Sequence, residues 1–333
     1  MAGSGMKQMK HLGKKIPLLK GVHHIAHRML LARGYRWELR RSGELELGLW
    51  RKQWSVRDKR LQIPRRLVVL PGFGDSPLLW LMLFSFLKPL LKSRYQEIVL
   101  LDYPGFGGFL SHKKGFHSID QMLVAVGDVF DTLKPDTIVG HSLGGYMAAA
   151  YAADCGEGVR PKVGKSPYKG PAQVVLLDPS GIYEDDRDRD TLLGRFQSAV
   201  AEGFHHLRPH VFSREPAWFP LVHHEFNEFV RREDIGHFIR SIRNDHALTN
   251  RLAHIRAQVH LVWGENDTLI PFRLAHVWVK ALEGGQAARA YLIRGAGHSP
   301  HVEKPAVTAA MIAQILTDRR PHPLGSRWWR AIS

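Results

Sequence analysis

The sequence predicts an α/β protein, with a mostly parallel central sheet covered by helices on both faces and interrupted by a helical insertion. Three observations carry this expectation. Short, largely unbroken apolar runs recur at residues 67–70, 98–101, 137–139, 174–177, 259–263 and 290–293, as expected of strands buried on both faces. Helical patterns separate them, near 77–93, 119–133, 143–154, 272–282 and 304–318. That alternation calls for parallel strands joined by right-handed crossovers. Residues 181–254 then break the rhythm: they are rich in charge, histidine and aromatics and hold no strand-like run, so they read as a helical cap entered after one core strand and left before the next.

Taken in order, residues 1–34 form a basic arm and residues 321–333 a basic tail. Met1 to Gly5 has the composition of a cloning remnant. Residues 35–41 and 44–50 largely alternate apolar and polar around Ser42-Gly43, the pattern of a hairpin. The core is expected over 35–180 and 255–320, with the cap over 181–254. At 333 residues and 44% hydrophobic content the chain can hold one sizeable core plus that cap. Residues 156–172 hold seven glycines or prolines and read as a surface loop.

Charge is concentrated at the start. Of the net +16, residues 1–66 supply +13, from 17 Lys and Arg against 4 acids. Such an arm attracts anionic surfaces. Residues 16–32 mix apolar positions with Lys20, Arg28 and three histidines, so they can lie at a membrane interface but are too interrupted to span one. Arg327-Trp328-Trp329-Arg330 has similar interfacial character. An anionic membrane surface is therefore an expected partner, and the expected location is cytoplasmic, peripheral at the inner membrane face. The lone Cys155 rules out an intramolecular disulfide. No nucleic-acid-binding module is recognisable, and nucleic acid is not an expected partner. No dinucleotide or phosphate-loop fingerprint appears, and the histidine pairs 23–24, 205–206 and 223–224 lack an accompanying ligand spacing. Neither a cofactor nor a metal is expected.

The chemistry concentrates at residues 138–147, Ile-Val-Gly-His-Ser-Leu-Gly-Gly-Tyr-Met. An apolar run stops at Gly140, a serine follows between glycines, and a small-residue helical pattern begins. This is the form of a nucleophile elbow, where Ser142 sits in strained backbone with its hydroxyl exposed and a helix N-terminus beneath it. A serine hydroxyl needs a base, and the base needs a carboxylate to fix its tautomer. Asp267 lies in the loop past the run 259–263, 125 residues after the serine, and His298 lies between small residues 31 further on. Asp178, after the run 174–177, and Glu265 are rival acids. His141 reads as a packing residue, and His301 as a surface residue at a helix start.

The Gly-His-Ser-Leu-Gly-Gly elbow and this residue order resemble the α/β-hydrolase superfamily over about residues 35–318, in particular carboxylesterases and monoacylglycerol-lipase-like serine hydrolases. The resemblance implies Ser142 as nucleophile, Asp267 as acid and His298 as general base. It also implies an oxyanion hole of the Phe73 and Leu143 N–H groups, Phe73 lying in the loop 70–76, and places the stretch 102–107 near the site. One departure is plain: the family usually has histidine where this chain has Pro71, which implies altered loop packing with the chemistry retained.

The implied activity is hydrolysis of carboxylic esters through an acyl-enzyme, on small-molecule ester or lipid substrates. The segment 77–87 is apolar nearly all round and reads as a buried helix close to where acyl chains would lie. With the aromatic cap it suggests a hydrophobic pocket, for which Met147, Phe212, Trp218 and Phe219 are candidate walls. Carbon–carbon bond hydrolysis, amide hydrolysis and acyl transfer remain open on the same residues, as does a non-catalytic lipid-binding role. The elbow disfavours chemistry that uses aspartate as nucleophile.

Overall fold

A computed structural model describes residues 18–54, 65–106, 108, 110, 113, 115–159, 168–283, 288–317 and 329–332. The first five residues, the arm ahead of residue 18, Arg160, Lys162 and Lys165 of the Gly/Pro-rich loop, and Arg327-Trp328 lie outside that set.

One nine-stranded sheet organises the chain. Its strands are β1 (Arg36–Ser42), β2 (Leu45–Gln53), β3 (Arg66–Leu70), β4 (Glu97–Asp102), β5 (Thr137–His141), β6 (Gln173–Leu177), β7 (Gln258–Gly264), β8 (Arg289–Ile293) and β9 (Trp329–Ile332), in the order β1-β2-β4-β3-β5-β6-β7-β8-β9. The six central strands β3 to β8 are parallel, while β1, β2 and β9 join antiparallel at the two edges. The predicted hairpin is β1–β2, turning at Ser42-Gly43 as its alternation requires.

Successive residues on a strand point to opposite faces, and the continuous apolar runs consequently feed two cores. Val68, Leu70, Val99, Leu101, Val174 and Leu176 belong to one, and Leu67, Val69, Ile98, Leu100, Val175 and Leu177 to the other. On the first face lie α3 (Ile119–Leu133), α4 (Leu143–Glu157) and α9 (Leu274–Leu282). On the second lie α1 (Leu18–Ala32), α2 (Pro77–Arg94) and α11 (Pro305–Thr317), the last preceded by the short α10 (Pro300–Glu303). Helix starts are written in the sequence. Ser76 caps α2 ahead of Pro77, and Ser118 caps α3, each accepting an orphan N–H that the helix cannot satisfy itself.

Between β6 and β7 the chain runs through α5 (Asp186–Glu202), α6 (Arg208–Val211), α7 (Phe219–Val230) and α8 (Glu233–Arg240), with 3-10 turns between them and no strand. Asp185 caps α5.

Two expectations are corrected. The basic tail contains β9, whose Ile332 to Trp329 pair with Ala290 to Ile293 of β8; four residues at an edge are too short a run to stand out as a strand. Helix α2 is not buried all round, because Met82 and Phe86 stand in solvent while Trp80, Leu83 and Leu87 fill the core. An apolar sequence cannot say which face the sheet covers.

Candidate active site

Strand β5 ends at His141 and α4 begins at Leu143, which leaves Ser142 alone to make the turn. Its φ of 51° and ψ of −114° lie in a region that non-glycine residues avoid, at a cost of about 1–3 kcal/mol. Neighbours hold it there: its N–H donates to the Leu177 carbonyl, and its carbonyl accepts from Tyr146 and Ser180. The flanking glycines have a steric reason. A Cβ on Gly144 would come 2.3 Å from the Leu70 carbonyl oxygen, and one on Gly140 would come 2.4 Å from the Gly144 carbonyl oxygen.

Three side chains meet at the serine. The Ser142 hydroxyl donates to His298 Nε2 at 2.9 Å, and His298 Nδ1–H donates to Asp267 Oδ2 at 2.8 Å. Asp267 is anchored in turn, its Oδ1 accepting from the Leu269 and Ile270 N–H groups at 2.8 and 2.9 Å. All three residues are buried. A carboxylate can only accept here, so the proton of the neutral ring sits on Nδ1 and leaves the Nε2 lone pair facing the hydroxyl.

The rival acids occupy different positions. Glu265 accepts from the Gly295 N–H at the surface. Asp178 is fully buried beside Asp267; atoms of the two carboxyls and a His298 nitrogen lie within 4.8 Å of one another. Its Oδ1 accepts from the Gly264 N–H, and its backbone is left-handed at φ 44°. Burial, and then the charge of Asp267, push the Asp178 carboxyl well above the usual carboxylate range. Two adjacent carboxyls cannot both ionise cheaply, and it is Asp178 whose neutral form is favoured.

The loop after β3 lies directly against Ser142, since a Cβ on Gly72 would sit 3.2 Å from Ser142 Cβ and 2.6 Å from His141 Nδ1. Phe73 follows, its ring braced by Phe106, Phe196 and Phe229; Phe106 comes from the loop the resemblance placed nearby. Leu143 is the first residue of α4, where an N–H has no partner within the helix.

Beyond Pro71 in the same loop, Asp75 anchors the packing. Its buried carboxylate accepts from Ser76 N–H at 2.7 Å, Trp80 Nε1–H at 2.8 Å and His301 Nε2–H at 3.2 Å. Burial alone would raise the Asp75 pKa, but His301 and His141 bring it far below the ordinary range. His301 is therefore not the surface residue expected: it is buried and stacked on Trp80, 4.5 Å between ring centroids. The His141 ring donates Nε2–H to the His298 carbonyl at 2.7 Å, which helps set the backbone of His298.

Burial, and then the charge of His301, lower the His141 pKa to about 4. Below the ordinary value of 6.5 the unfolded chain binds a proton that the folded site refuses. Stability from this group is therefore complete above pH 6.5 and is lost as pH falls to 4, by about 3 kcal/mol over the whole window. His141→Gln keeps a donor and removes the titration. Melting temperatures between pH 7 and 4.5 should fall less steeply for this variant than for the parent; parallel curves would contradict the assignment.

Two apolar cavities meet at Ser142, each of about 70 Å³, so size does not rank them. They share Phe73, Phe196 and Leu269 as a partition. The first runs between α4, α5 and α8 past Tyr146, Leu192 and Ile239. The second runs under α6 and α7 past Leu79, Leu207, Phe226 and Phe229, and Phe212, Trp218 and Phe219 line it. Met147 is a correction. It is buried in the core and lines neither cavity; one residue earlier on the helix, Tyr146 faces the space, and the 100° step per residue turns Met147 away. The leucine and isoleucine that follow Asp267, Leu269 and Ile270, line the first cavity too, which a reading of the acid loop for hydrophobic neighbours could have found.

Three clusters among the described residues bring possible metal ligands within 4.8 Å: Asp75, His141 and His301; Asp178, Asp267 and His298; and Glu202, His205 and His206. The first two are occupied by the hydrogen bonds above. The third corrects the reading that no acid accompanies the 205–206 pair, because Glu202 accepts from His206 Nε2 at 2.6 Å at the surface.

Comparison with known proteins agrees with this architecture. The profile of the Alpha/beta hydrolase family matches residues 67–311. A monoacylglycerol lipase of Xenopus laevis is 24% identical over 313 residues, covering 86% of this chain and 87% of that protein. A 2-hydroxy-6-oxononadienedioate/2-hydroxy-6-oxononatrienedioate hydrolase of Escherichia coli is 26% identical over 239 residues, or 69% and 80% of the two chains. Among solved structures, a bacterial membrane phospholipase A superimposes with a TM-score of 0.64 at 21% identity, covering 90% of this chain and 91% of that one. The carboxylesterase CesB of Bacillus subtilis gives 0.59 at 15% identity, covering 91% and 100%.

Proposed function

The chain belongs to the alpha/beta hydrolase family, and from that premise we propose that it is a serine hydrolase cleaving carboxylic esters of hydrophobic acyl chains. The observation that carries the proposal is the unbroken relay from Ser142 through His298 to Asp267, at 2.9 and 2.8 Å, opening on two apolar cavities. In this reading His298 takes the Ser142 proton as the hydroxyl oxygen attacks the ester carbonyl. Asp267 stabilises the imidazolium, and the Phe73 and Leu143 N–H groups receive the oxyanion, each worth about 3 kcal/mol of barrier. Collapse of the tetrahedral intermediate expels the alcohol, which takes the proton from His298. Water then repeats the sequence and releases the acid. Helices α5 to α8 act as a cap, since Phe196, Phe219, Phe226, Phe229, Phe238 and Ile239 line the two cavities.

The likeness to a lipase, a phospholipase and a carboxylesterase supports esters over other substrates. The likeness to the Escherichia coli hydrolase keeps carbon–carbon bond cleavage as a second reading. Against it, the cation lining the first cavity, Arg243, is already paired with Asp120 and Asp245, leaving walls suited to hydrocarbon.

A series of p-nitrophenyl esters tests the reading. If each added methylene is buried in the transition state, about 0.8 kcal/mol per CH₂ raises kcat/KM about fourfold per carbon until the cavity is full. Leu192→Trp narrows the first cavity and Val211→Trp the second. The variant that moves saturation to shorter chains identifies the acyl arm. A preference for acetate that neither substitution alters would contradict an apolar acyl site.

A further inference from the structure

Helices α1, α2 and α7 together expose an apolar surface at the outlet of the second cavity. Ile25 on α1, Met82 and Phe86 on α2, and Leu221 on α7 are 61%, 62%, 56% and 68% exposed. Isolated exposed hydrophobics are ordinary, but a contiguous set is not. Contiguity follows from three observations. Helix α1 lies against α7. Leu79 of α2 and Trp218, which leads into α7, line the same cavity. At the other end, Lys52 Nζ donates to the Arg33 carbonyl just past α1, and burial, then the charge of Lys88 on α2, lower the Lys52 pKa. Helices α1 and α2 thus pack on the same face of the sheet, with Leu30 of one and Trp80 of the other in a single core, and α7 lies against α1. Trp218 belongs to the cavity wall and is itself 40% exposed, which marks where the cavity reaches solvent.

We infer that this face is a docking surface for an anionic lipid bilayer, and that ester lipid passes from the bilayer past Trp218 into the second cavity. Charge selects the occupant. Neither the fifteen residues of α1 nor the eighteen of α2 include a single Asp or Glu, in a chain that holds 31. Arg28, Lys88 and Lys92 are exposed beside the apolar side chains, with Lys52, Arg33 and Arg94 near them. Helix α7 does carry Glu225 and Glu228, so the acid-free, cation-rimmed part of the face is α1 and α2, the composition of an interfacial helix face on anionic headgroups. A second copy of the chain would bring the same uncompensated cations together and be repelled. The inference rests on the ester-lipid reading only for the substrate's route; the binding itself needs no catalysis.

Flotation of the full chain with vesicles tests it, using phosphatidylcholine alone and phosphatidylcholine mixed with phosphatidylglycerol. The protein should float with the mixed vesicles and stay below with the neutral ones, and added salt should weaken binding. Met82→Glu/Phe86→Glu and Lys88→Glu/Lys92→Glu should each reduce bound protein at least about tenfold. Both variants should hydrolyse a water-soluble short ester at the parental rate. Failure of the parent to float, or variants that float as well as the parent, would overturn the inference. So would a dimer in solution that the Met82→Glu/Phe86→Glu pair dissociates, since the face would then join two copies. A parent protein that hydrolyses esters but does not float rejects this surface alone, whereas a parent that floats but is inert to esters rejects the proposed activity alone.

Discussion

Ser142→Ala should abolish labelling by a fluorophosphonate probe and lower kcat/KM for esters by a factor on the order of 10⁶. The magnitude follows because Ser142 is the hydroxyl hydrogen-bonded to His298 Nε2, at 2.9 Å. Removing the nucleophile from a serine relay costs about as much as removing the whole relay. The fold should persist, since alanine fills the same space at the same backbone angles. Ser142→Gly should go further and raise the melting temperature, because glycine adopts φ 51° without the steric penalty that serine bears. Labelling that survives Ser142→Ala would move the nucleophile elsewhere and remove the basis for the ester assignment.

Asp267→Asn should lower kcat by about 10⁴, whereas Asp178→Asn should cost less than about tenfold. Both carboxyls are buried, and both lie past the end of a parallel strand, so neither position nor burial separates them. Their partners do. Asp267 accepts from His298 Nδ1–H and from two backbone N–H groups, so an amide in its place would present a donor where the ring needs an acceptor. Burial and the neighbouring Asp267 charge raise the Asp178 pKa and favour its neutral form. Asparagine is then close to an isosteric neutral replacement. Steady-state kinetics on the two variants decide the matter: equal losses would make Asp178 part of the orienting pair rather than a neutral neighbour.

Much of the fold was legible because it depends on local pattern. Each buried strand shows as an apolar run, since both faces are covered, and the intervening helical patterns show as stretches between those runs. Strand β9 was not legible, because its four residues owe their conformation to the edge of β8 rather than to their own pattern. His301 gave no hint of burial, as its partner Asp75 lies 226 residues away. The solvent face of α2 was hidden for a related reason: an all-apolar helix shows no periodicity, and only the position of the sheet and α11 decides which side chains remain outside.

By itself the sequence determined the parallel sheet and the elbow that offers Ser142, because strand period and glycine placement act over a few residues. It also determined the order in which the serine, acid and histidine follow one another. Only the tertiary structure decided which of two buried carboxyls faces the His298 ring and which has its pKa raised. It alone decided that Tyr146 rather than Met147 lines the cavity, and that Asp75 with His301 carries the loop beside Pro71. Those outcomes depend on distances between segments far apart in the chain, and on the low-dielectric surroundings that exist only once the core has closed.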